Sequence, residues 1–134
     1  MTGKLPANKK KQPPIVNIPT KDLASEELVS DGYVWSTNDL IKAVKEQKCV
    51  PFAVPLASIS TAAMPWELTN LSDFLFHYKA TDSTDLKYPI IYSPNGIIVD
   101  GYHRVVKAIL KGKTEIMAVR LHTMSESHKQ GKDE

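Results

Sequence analysis

The sequence predicts a single domain of the α+β class, in which a small mixed sheet packs against helices. The chain has 134 residues, a length that is typical of one domain. Hydrophobic residues make up 42% of the chain and charged residues 24%, as in proteins with a packed core. Segments rich in β-formers alternate with segments of helical period, and we find no internal repeat.

The two ends of the chain differ in composition from the part between them. Residues 1–14 combine lysine, proline and glycine with few apolar residues, and residues 123–134 are similarly polar. Both compositions are typical of disorder, so we expect a disordered basic arm and a disordered tail. Between them we expect an N-terminal extension with one helix over residues 15–49, and the core of the domain over residues 50–122.

The formal net charge of +2 comes from the lysines of the arm, and the body of the chain is near neutral. A protein that reads nucleic acid normally carries a basic face, so we expect only weak binding to DNA, through the arm. No apolar run approaches the ~20 residues that span a membrane, and the first residues do not resemble a secretory signal. The single cysteine, Cys49, excludes an internal disulfide. Together these features predict a cytoplasmic protein with no membrane partner.

Short elements are predicted before the core. The alternation of apolar and polar residues in Ile15–Ile18 predicts a short edge strand or an extended arm, and Asp22–Val29 fits a helical turn. Ser36–Lys48 is a clearer helix, because Ser36 and Asp39 have the spacing of a capping box.

The first half of the core predicts a strand followed by a helix. Val50–Leu56 is rich in β-formers but contains Pro51 and Pro55, which favours an edge strand or a strand that ends at Pro55. Apolar residues recur with helical period in Leu68–Tyr78. A polar loop is expected at Asp82–Asp85.

The second half of the core predicts a β-hairpin, a helix and a closing strand. Tyr88–Tyr92 and Ile97–Val99 are apolar, and the Asn-Gly pair between them favours the positive φ of a tight turn. Asp100 is expected to cap a helix from about residue 101 to 111, with Gly112 after its C-terminal end. Glu115–Leu121 is the last predicted strand.

The residues most able to bind a ligand or take part in a reaction lie at the junction between the hairpin and the last helix. The first turn of a helix presents unpaired N–H groups and the positive end of the helix dipole, and His103 and Arg104 lie in this turn. Arginine offers a planar fork that matches phosphate oxygens. The pattern therefore predicts a site for an anion, and a phosphate group fits it best. Each residue also has a structural explanation, with Asp100 as a helix cap, His103 as a satisfied histidine and Arg104 as a surface ion pair.

The same junction resembles a known superfamily. The stretch IIVDGYHRVVKAILKGKTEIMAVRL, residues 97–121, resembles the core signature of the ParB/sulfiredoxin superfamily, which has a strand, a Gly-x-His-Arg or Gly-x-x-Arg turn, a helix ending in glycine and a closing strand. Upstream, VPFAVPLASI resembles the opening strand of that superfamily and YPIIYSPNGIIVDG its central hairpin. The resemblance covers roughly residues 50–121 and implies a ParB/sulfiredoxin-like fold.

The resemblance also implies a ligand and residues that contact it. Members of the superfamily bind a nucleotide with its phosphates at this turn, and they include CTP-hydrolysing partition proteins, ATP-dependent sulfiredoxin, free-serine kinases and some nucleases. By resemblance, ATP or CTP is the expected nucleotide. Mg²⁺ is its possible companion, since it commonly takes one or two carboxylates together with substrate phosphates, and Asp100 is the expected metal ligand because it lies beside this turn. Asp100 and His103 are the expected catalytic residues. The expected nucleotide-binding residues are Gly101, Tyr102, His103 and Arg104.

Differences from the superfamily pattern reduce the number of activities that the resemblance implies. Sulfiredoxin has a catalytic cysteine where this chain has Tyr102, so sulfiredoxin chemistry is not expected. The Asp-Gly-His-His-Arg turn of the free-serine kinases is the more similar one, with Tyr102 in place of its first histidine. Partition proteins carry a helix-turn-helix domain after this module, whereas this chain ends soon after the last predicted strand. We therefore do not expect it to read a centromere by that route.

Three classes of function stay open on the sequence alone. The first is a nucleotide-binding protein that hydrolyses the nucleotide or transfers its phosphoryl group. The second is a non-catalytic regulatory or interaction module of a phage or other mobile element, with a protein as its partner. The third is a ParB-like metal-dependent nuclease, against which the near-neutral body argues.

A few residues outside the junction are weaker candidates. His77 is interpreted as a helix-surface residue, and Trp66 as a core or lid aromatic, with base stacking as the alternative. A second carboxylate for Mg²⁺, or a general base, has four candidates of equal standing. They are Glu67, Asp73, Asp82 and Asp85.

Overall fold

The computed structural model describes residues 12–19, 27–30 and 33–124. A small antiparallel sheet pairs strands β1 and β2, and a second sheet of four strands forms the centre of the domain in the order β3-β6-β4-β5. The strands are β1 (Glu27–Ser30), β2 (Tyr33–Ser36), β3 (Phe52–Pro55), β4 (Ile90–Tyr92), β5 (Ile98–Asp100) and β6 (Glu115–Arg120). The helices are α1 (Thr37–Glu46), α2 (Leu71–Ser83) and α3 (Tyr102–Leu110), with a 3₁₀ turn at Leu56–Ser58.

The central sheet is mixed, as the sequence predicts. β6 pairs antiparallel with β3 and parallel with β4, and β4 pairs antiparallel with β5. The predicted hairpin is therefore confirmed, and so is the edge position of β3, which ends at Pro55. The predicted α+β class is confirmed as well. Within the described residues, no helix is long and apolar enough to cross a membrane.

The sheet separates two clusters of buried side chains. Alternate residues of a strand face opposite sides of a sheet, so Ile90 lies in one cluster and Ile91 in the other. The first cluster lies on the side of α3, which contributes Val105 and Ala108 to it. The second lies on the side of α1 and includes Trp35 and Leu40. The cleft described below lies where α1, β5 and α3 come together.

The start of α1 is fixed by the predicted capping box. The Ser36 hydroxyl accepts a hydrogen bond from the Asp39 backbone N–H at 3.1 Å, and the Asp39 carboxylate accepts one from the Ser36 backbone N–H at 2.9 Å. These bonds satisfy two of the donors that a helix start leaves open.

One prediction for the N-terminal part is wrong, and one of the two alternatives for another segment is excluded. The helical turn predicted at Asp22–Val29 is contradicted from Glu27 onwards, because Glu27–Ser30 pairs with β2 as a strand. No strand is formed at Ile15–Ile18 in the described segment 12–19, so the edge-strand alternative is excluded there and the extended arm stays a prediction. Residues 20–26, and most of the predicted arm and tail (1–11 and 125–134), lie outside the described residues, and the predictions for them stay predictions.

Helix α2 is confirmed, but its buried face is not the one that hydropathy favours. Phe76, His77 and Thr81 are buried, so the interpretation of His77 as a helix-surface residue is wrong. By contrast, Leu71, Phe74 and Tyr78 are 70%, 50% and 61% exposed. The helix also extends through Asp82 and Ser83, into the segment predicted as a loop.

Contacts between α2 and α3 fix the two helices to each other. The Lys107 ammonium on α3 donates hydrogen bonds to the carbonyl oxygens of Asp82 at 2.8 Å and Thr84 at 2.7 Å. The last carbonyl groups of a helix receive no hydrogen bond from an N–H of the same helix. The lysine therefore supplies donors that water would otherwise have to provide. These bonds fix the position of α2, which carries His77, relative to α3, which carries His103.

Candidate functional site

A cleft of about 240 Å³ opens at the junction that the sequence singles out. It is bordered by the start of α1, by β5, by the start of α3 and by the irregular segment between the 3₁₀ turn and α2. We refer to it as the cleft. Its lining residues are Trp35, Thr37, Leu40, Pro65, Trp66, Ile98, Val99, Asp100, Gly101, Tyr102 and His103.

Gly101 allows the backbone to turn from β5 into α3. Its φ is +113°, in the region that side chains disfavour. A Cβ at this position would lie 2.6 Å from Ile90 Cγ2 and 2.9 Å from Ile90 Cβ, and Ile90 is fully buried. Only glycine fits both the conformation and the space.

Gly101 is also the N-cap of α3, and α3 has no side-chain cap. The prediction that Asp100 caps this helix is therefore wrong. The reason is geometric, because Asp100 is the last residue of β5 and its carboxylate engages the Arg104 side chain instead. Without a side-chain cap, the first N–H groups of the helix have no acceptor from the cap position, and the residues that carry them, Tyr102 and His103, line the cleft.

Asp100 and Arg104 form a largely buried ion pair. Arg104 Nη2 donates to Asp100 Oδ2 at 2.9 Å and to the Pro89 carbonyl oxygen at 3.1 Å. The Asp100 and Arg104 side chains are 20% and 15% exposed. Arg104 Nε is buried and has no hydrogen-bond partner in the described part of the chain. The pair fastens the turn to the residue before β4, and its two charges offset each other.

Three rings meet beside this turn, although they come from distant parts of the sequence. His77 Nδ1 and His103 Nε2 are 2.9 Å apart, in hydrogen-bond contact. Trp66 stacks on both imidazoles, with ring centroids 4.3 Å from His77 and 4.4 Å from His103 and interplanar angles of 14° and 18°. Phe76 meets the His77 ring edge-on at 4.8 Å. We call His77 and His103 the histidine pair.

The His103 ring of this pair is held in its uncharged form. Burial, then the neighbouring His77 and then Arg104 lower the pKa of His103 from 6.5 to about 4. The hydrogen bond between the two rings requires at least one of them to be neutral, because one nitrogen must donate an N–H while the other offers a lone pair. Two imidazolium rings cannot form this bond.

The stability of the protein should therefore depend on His103 in mild acid. The pKa of His103 is lower in the folded state than its ordinary value, so the unfolded chain takes up the proton first as the pH falls. We expect the contribution of His103 to be complete above about pH 6.5 and to be lost between about pH 6.5 and 4. The expected loss is about 2 kcal/mol, less than the full shift implies because the ring is partly solvated.

Urea unfolding at pH 7, 6, 5 and 4.5 measures this loss. His103→Asn should flatten the dependence on pH, whereas His122→Asn, at an exposed site, should leave it unchanged. If the wild type and His103→Asn lost stability in parallel, His103 would not be the responsible group.

Among the described residues that line the cleft, Asp100 carries the one carboxylate. The other carboxylates considered as metal ligands, Glu67, Asp73, Asp82 and Asp85, do not line it. Asp73 instead accepts hydrogen bonds from the Thr69 backbone and hydroxyl groups. No cluster of three or more His, Cys, Asp or Glu side chains that fits a metal ion occurs within residues 12–19, 27–30 and 33–124.

The sequence-predicted residues thus separate into two groups. Asp100, Gly101, Tyr102 and His103 line the cleft, whereas Arg104 does not and lies against Asp100. Sequence reasoning missed the contribution of Thr37 and the partnership of His77 with His103. No local signal identifies that partnership, because the two histidines are 26 residues apart on different helices.

The sequence matches no protein-family model and no curated protein. Among solved structures, it is similar to a Pnob8-like ParB-N domain in its C2221 form, with 17% sequence identity and a TM-score of 0.33. The match covers 63% of this chain and 33% of that chain, so this chain matches about a third of the length of the solved one. The site is accordingly interpreted from its own geometry.

Proposed function

We propose that the protein binds a nucleotide in the cleft, with the phosphates against the first turn of α3. The observation that carries this proposal is the conformation of Gly101, which starts α3 without a side-chain cap at the wall of the cleft. The open N–H groups of a helix start and the positive end of its dipole attract anions. Gly101, Tyr102 and His103 are the residues that would contact the phosphates.

A second helix start supports the proposal. Thr37 is the first residue of α1 and lines the same cleft. The start of α1 is already capped by Ser36 and Asp39, so what it adds to the opening is the Thr37 hydroxyl, a side-chain donor. This mode of phosphate binding needs no direct contact with an arginine. It agrees with the position of Arg104, which is paired with Asp100 and does not line the cleft.

The rest of the lining suits the organic part of a nucleotide. Trp66, Ile98 and Val99 offer aromatic and aliphatic surface, as the walls of small-molecule sites usually do. At about 240 Å³, the cleft is somewhat smaller than the ~300–1,000 Å³ of typical ligand pockets. We therefore infer that part of the nucleotide projects into solvent.

The resemblance of the DGYHR turn to the ParB/sulfiredoxin superfamily points to the same ligand. In this proposal the Asp100–Arg104 pair maintains the conformation of the turn. Arg104 therefore affects phosphate binding indirectly, by positioning the N–H groups of the first turn of α3. Mg²⁺ commonly takes one or two carboxylates together with substrate phosphates, and Asp100 is the carboxylate at hand. Hydrolysis or phosphoryl transfer would then rest on positioning and charge stabilisation, with Asp100 and His103 as the candidate groups.

A thermal-shift panel tests binding. ATP, ADP, CTP, GTP and pyrophosphate are each added with and without Mg²⁺. A ligand that binds only the folded state stabilises it by about 2.7 kcal/mol at 100 times its Kd, so a nucleotide that binds should raise Tm by several degrees. No shift with any of these ligands at millimolar concentration would contradict the proposal.

Two matched variants of α1 locate the binding. Thr37→Glu places a carboxylate in the cleft, and Asn38→Glu places one on the adjacent exposed residue, which does not line the cleft. Both substitutions suit the first turn of a helix, where acidic side chains are favourable. We expect Thr37→Glu to weaken nucleotide binding at least tenfold and Asn38→Glu to change it little. Equal affinities in the two variants would place the ligand elsewhere.

The interaction-module alternative is favoured by one observation, the exposed apolar stripe of α2. Leu71, Phe74 and Tyr78 lie on one side of that helix, and the rings of Phe74 and Tyr78 are 6.2 Å apart. Contiguous exposed apolar surface is typical of binding sites for other proteins. A negative result from the nucleotide panel would favour this alternative.

A further inference from the structure

We propose that residues 60–67 form a strap over the cleft that opens and closes as a unit, and that Trp66 is the latch that holds it closed. These residues belong to the irregular segment between the 3₁₀ turn and α2, which contributes Pro65 and Trp66 to the lining of the cleft. The inference concerns access to the cleft, and it does not depend on which ligand binds there.

The strap is attached to the rest of the domain by few contacts. Within the described residues, no backbone–backbone hydrogen bond and no ion pair involves residues 60–67. The one side-chain hydrogen bond found there, from the Ala62 N–H to the Ser60 hydroxyl at 3.2 Å, lies within the strap itself. All of its residues are exposed except Trp66, which is half-buried. A segment with so few buried contacts and hydrogen bonds opens at a lower free energy than the whole domain.

The two ends of the strap are fixed, so its movement is confined to the segment between them. Before it, the Leu56 N–H donates to the Thr114 carbonyl oxygen at 2.9 Å, and the Ile59 side chain packs against the first buried cluster. After it, the Thr69 N–H donates to the Asp73 carboxylate at 3.1 Å, in the first turn of α2. The strap can therefore detach while β3 and α2 stay in place.

Trp66 holds the middle of the strap against the histidine pair. Its indole lies 4.3 Å from the His77 ring and 4.4 Å from the His103 ring, at interplanar angles of 14° and 18°. Stacked aromatic rings attract each other beyond the area that they bury. Because the two imidazoles come from α2 and α3, one side chain ties the strap to both helices. Opening would expose one face of each imidazole to water.

Pro65 lowers the entropic cost of closing the strap. Its ring fixes φ near −65°, and it restricts Met64 before it to extended conformations. The open strap therefore has fewer conformations to lose when Trp66 returns to the imidazoles. Opening also removes Pro65 and Trp66 from the lining of the cleft, so it would admit a molecule larger than the closed volume of about 240 Å³.

Limited proteolysis measures the population of the open strap. A protease of broad specificity is added to the native protein at pH 7.5, and cleavage within residues 60–67 is followed by mass spectrometry. When the strap recloses faster than it is cleaved, the cleavage rate is proportional to the open population. We expect cleavage in Trp66→Ala to be about tenfold faster than in the wild type. Trp66→Phe, which keeps a ring for stacking, should fall between them.

Two control variants separate opening of the strap from other causes of cleavage. Met64→Ala changes a side chain of the strap that is 63% exposed, and it should be cleaved at the rate of the wild type. Gly112→Ala changes a residue of positive φ outside the strap, so it tests the effect of lower overall stability, and it should also leave this cleavage unchanged. Equal rates in the wild type and Trp66→Ala, or equal acceleration in Trp66→Ala and Gly112→Ala, would overturn the inference.

Relaxation-dispersion NMR gives a second measurement, which needs no substitution. Loops that close over a site commonly move on the μs–ms timescale. We expect the backbone amides of the strap, the Trp66 indole and the imidazoles of His77 and His103 to exchange at one common rate, and the amides of β6 to show no such exchange. Absence of exchange in the strap, or exchange that leaves both imidazoles unaffected, would overturn the inference. Neither measurement uses a ligand, so failure of the strap would leave the proposed function standing, and a negative nucleotide panel would leave the strap standing.

Discussion

Replacing Gly101 by alanine is expected to lower the free energy of unfolding by about 3 kcal/mol. Part of this loss is conformational, because φ is +113° and a side chain disfavours this region by about 1–2 kcal/mol. The rest is steric, because the new methyl group would overlap Ile90, 2.6 Å away, and overpacking a core costs about 1–3 kcal/mol. A loss of this size is a large share of the ~5–15 kcal/mol that usually holds a domain together.

Gly112→Ala is the matched control. Gly112 also has a positive φ, of +74°, but a Cβ there would have no neighbour within 4 Å. The expected loss is about 1 kcal/mol, from the conformational term alone. In thermal unfolding the two variants should differ by roughly 8 °C in Tm, at about 4 °C per kcal/mol for a domain of this size. Equal losses in the two variants would show that Ile90 does not restrict the turn.

Removal of the Arg104 side chain is expected to have the second large effect. In Arg104→Met the Asp100 carboxylate, 20% exposed, loses the cation that balances it, and the Pro89 carbonyl loses a donor. Breaking a buried ion pair from one side costs about 3–5 kcal/mol. Because both side chains retain some exposure, we expect about 3 kcal/mol in urea unfolding.

A double-mutant cycle shows whether the pair itself is responsible. Replacing both partners, as Asp100→Asn with Arg104→Met, removes the unbalanced charge, so most of the loss should be recovered. Arg120→Met is the matched control, because Arg120 is exposed and donates to the Pro94 carbonyl at the hairpin turn. It should cost no more than about 1 kcal/mol. Additive effects of the two single substitutions would contradict a coupled pair.

The elements that local rules define are the ones that the sequence predicts well. The capping box of Ser36 and Asp39 is a contact between residues three apart, and the hairpin turn depends on the positive φ of Gly96. Such features are complete within a few residues, so they can be recognised before the fold is known.

The wrong predictions concern residues whose partners are distant in sequence. Hydropathy favours an exposed position for His77, yet the ring is buried by Trp66 and by His103 on another helix. Asp100 has the residue type and position of a helix cap, but the side chain four residues later competes for its carboxylate. Predictions from sequence patterns use the polarity and spacing of residues. Neither property shows which of two possible hydrogen-bond partners a side chain will bind in the folded protein.

The candidate site shows the same division. The DGYHR turn marks the place of the cleft, because glycine and the start of a helix are local features. The rest of the lining, which includes Thr37 and Trp66, comes from segments that the turn does not identify. The charge state of the cleft also depends on these tertiary contacts, since Asp100 neutralises Arg104 and the ring contacts keep His103 uncharged.

During synthesis, the position of β6 delays completion of the sheet. β6 lies between β3 and β4 and is the last of the four strands in the chain. A nascent chain that stops before Glu115 therefore lacks the hydrogen-bonding neighbour of β3 and the parallel neighbour of β4. It also lacks Ala118 and Val119, which belong to the two buried clusters on opposite sides of the sheet. Until β6 has emerged, β3 and β4 present unpaired backbone groups of the kind that recruits other chains.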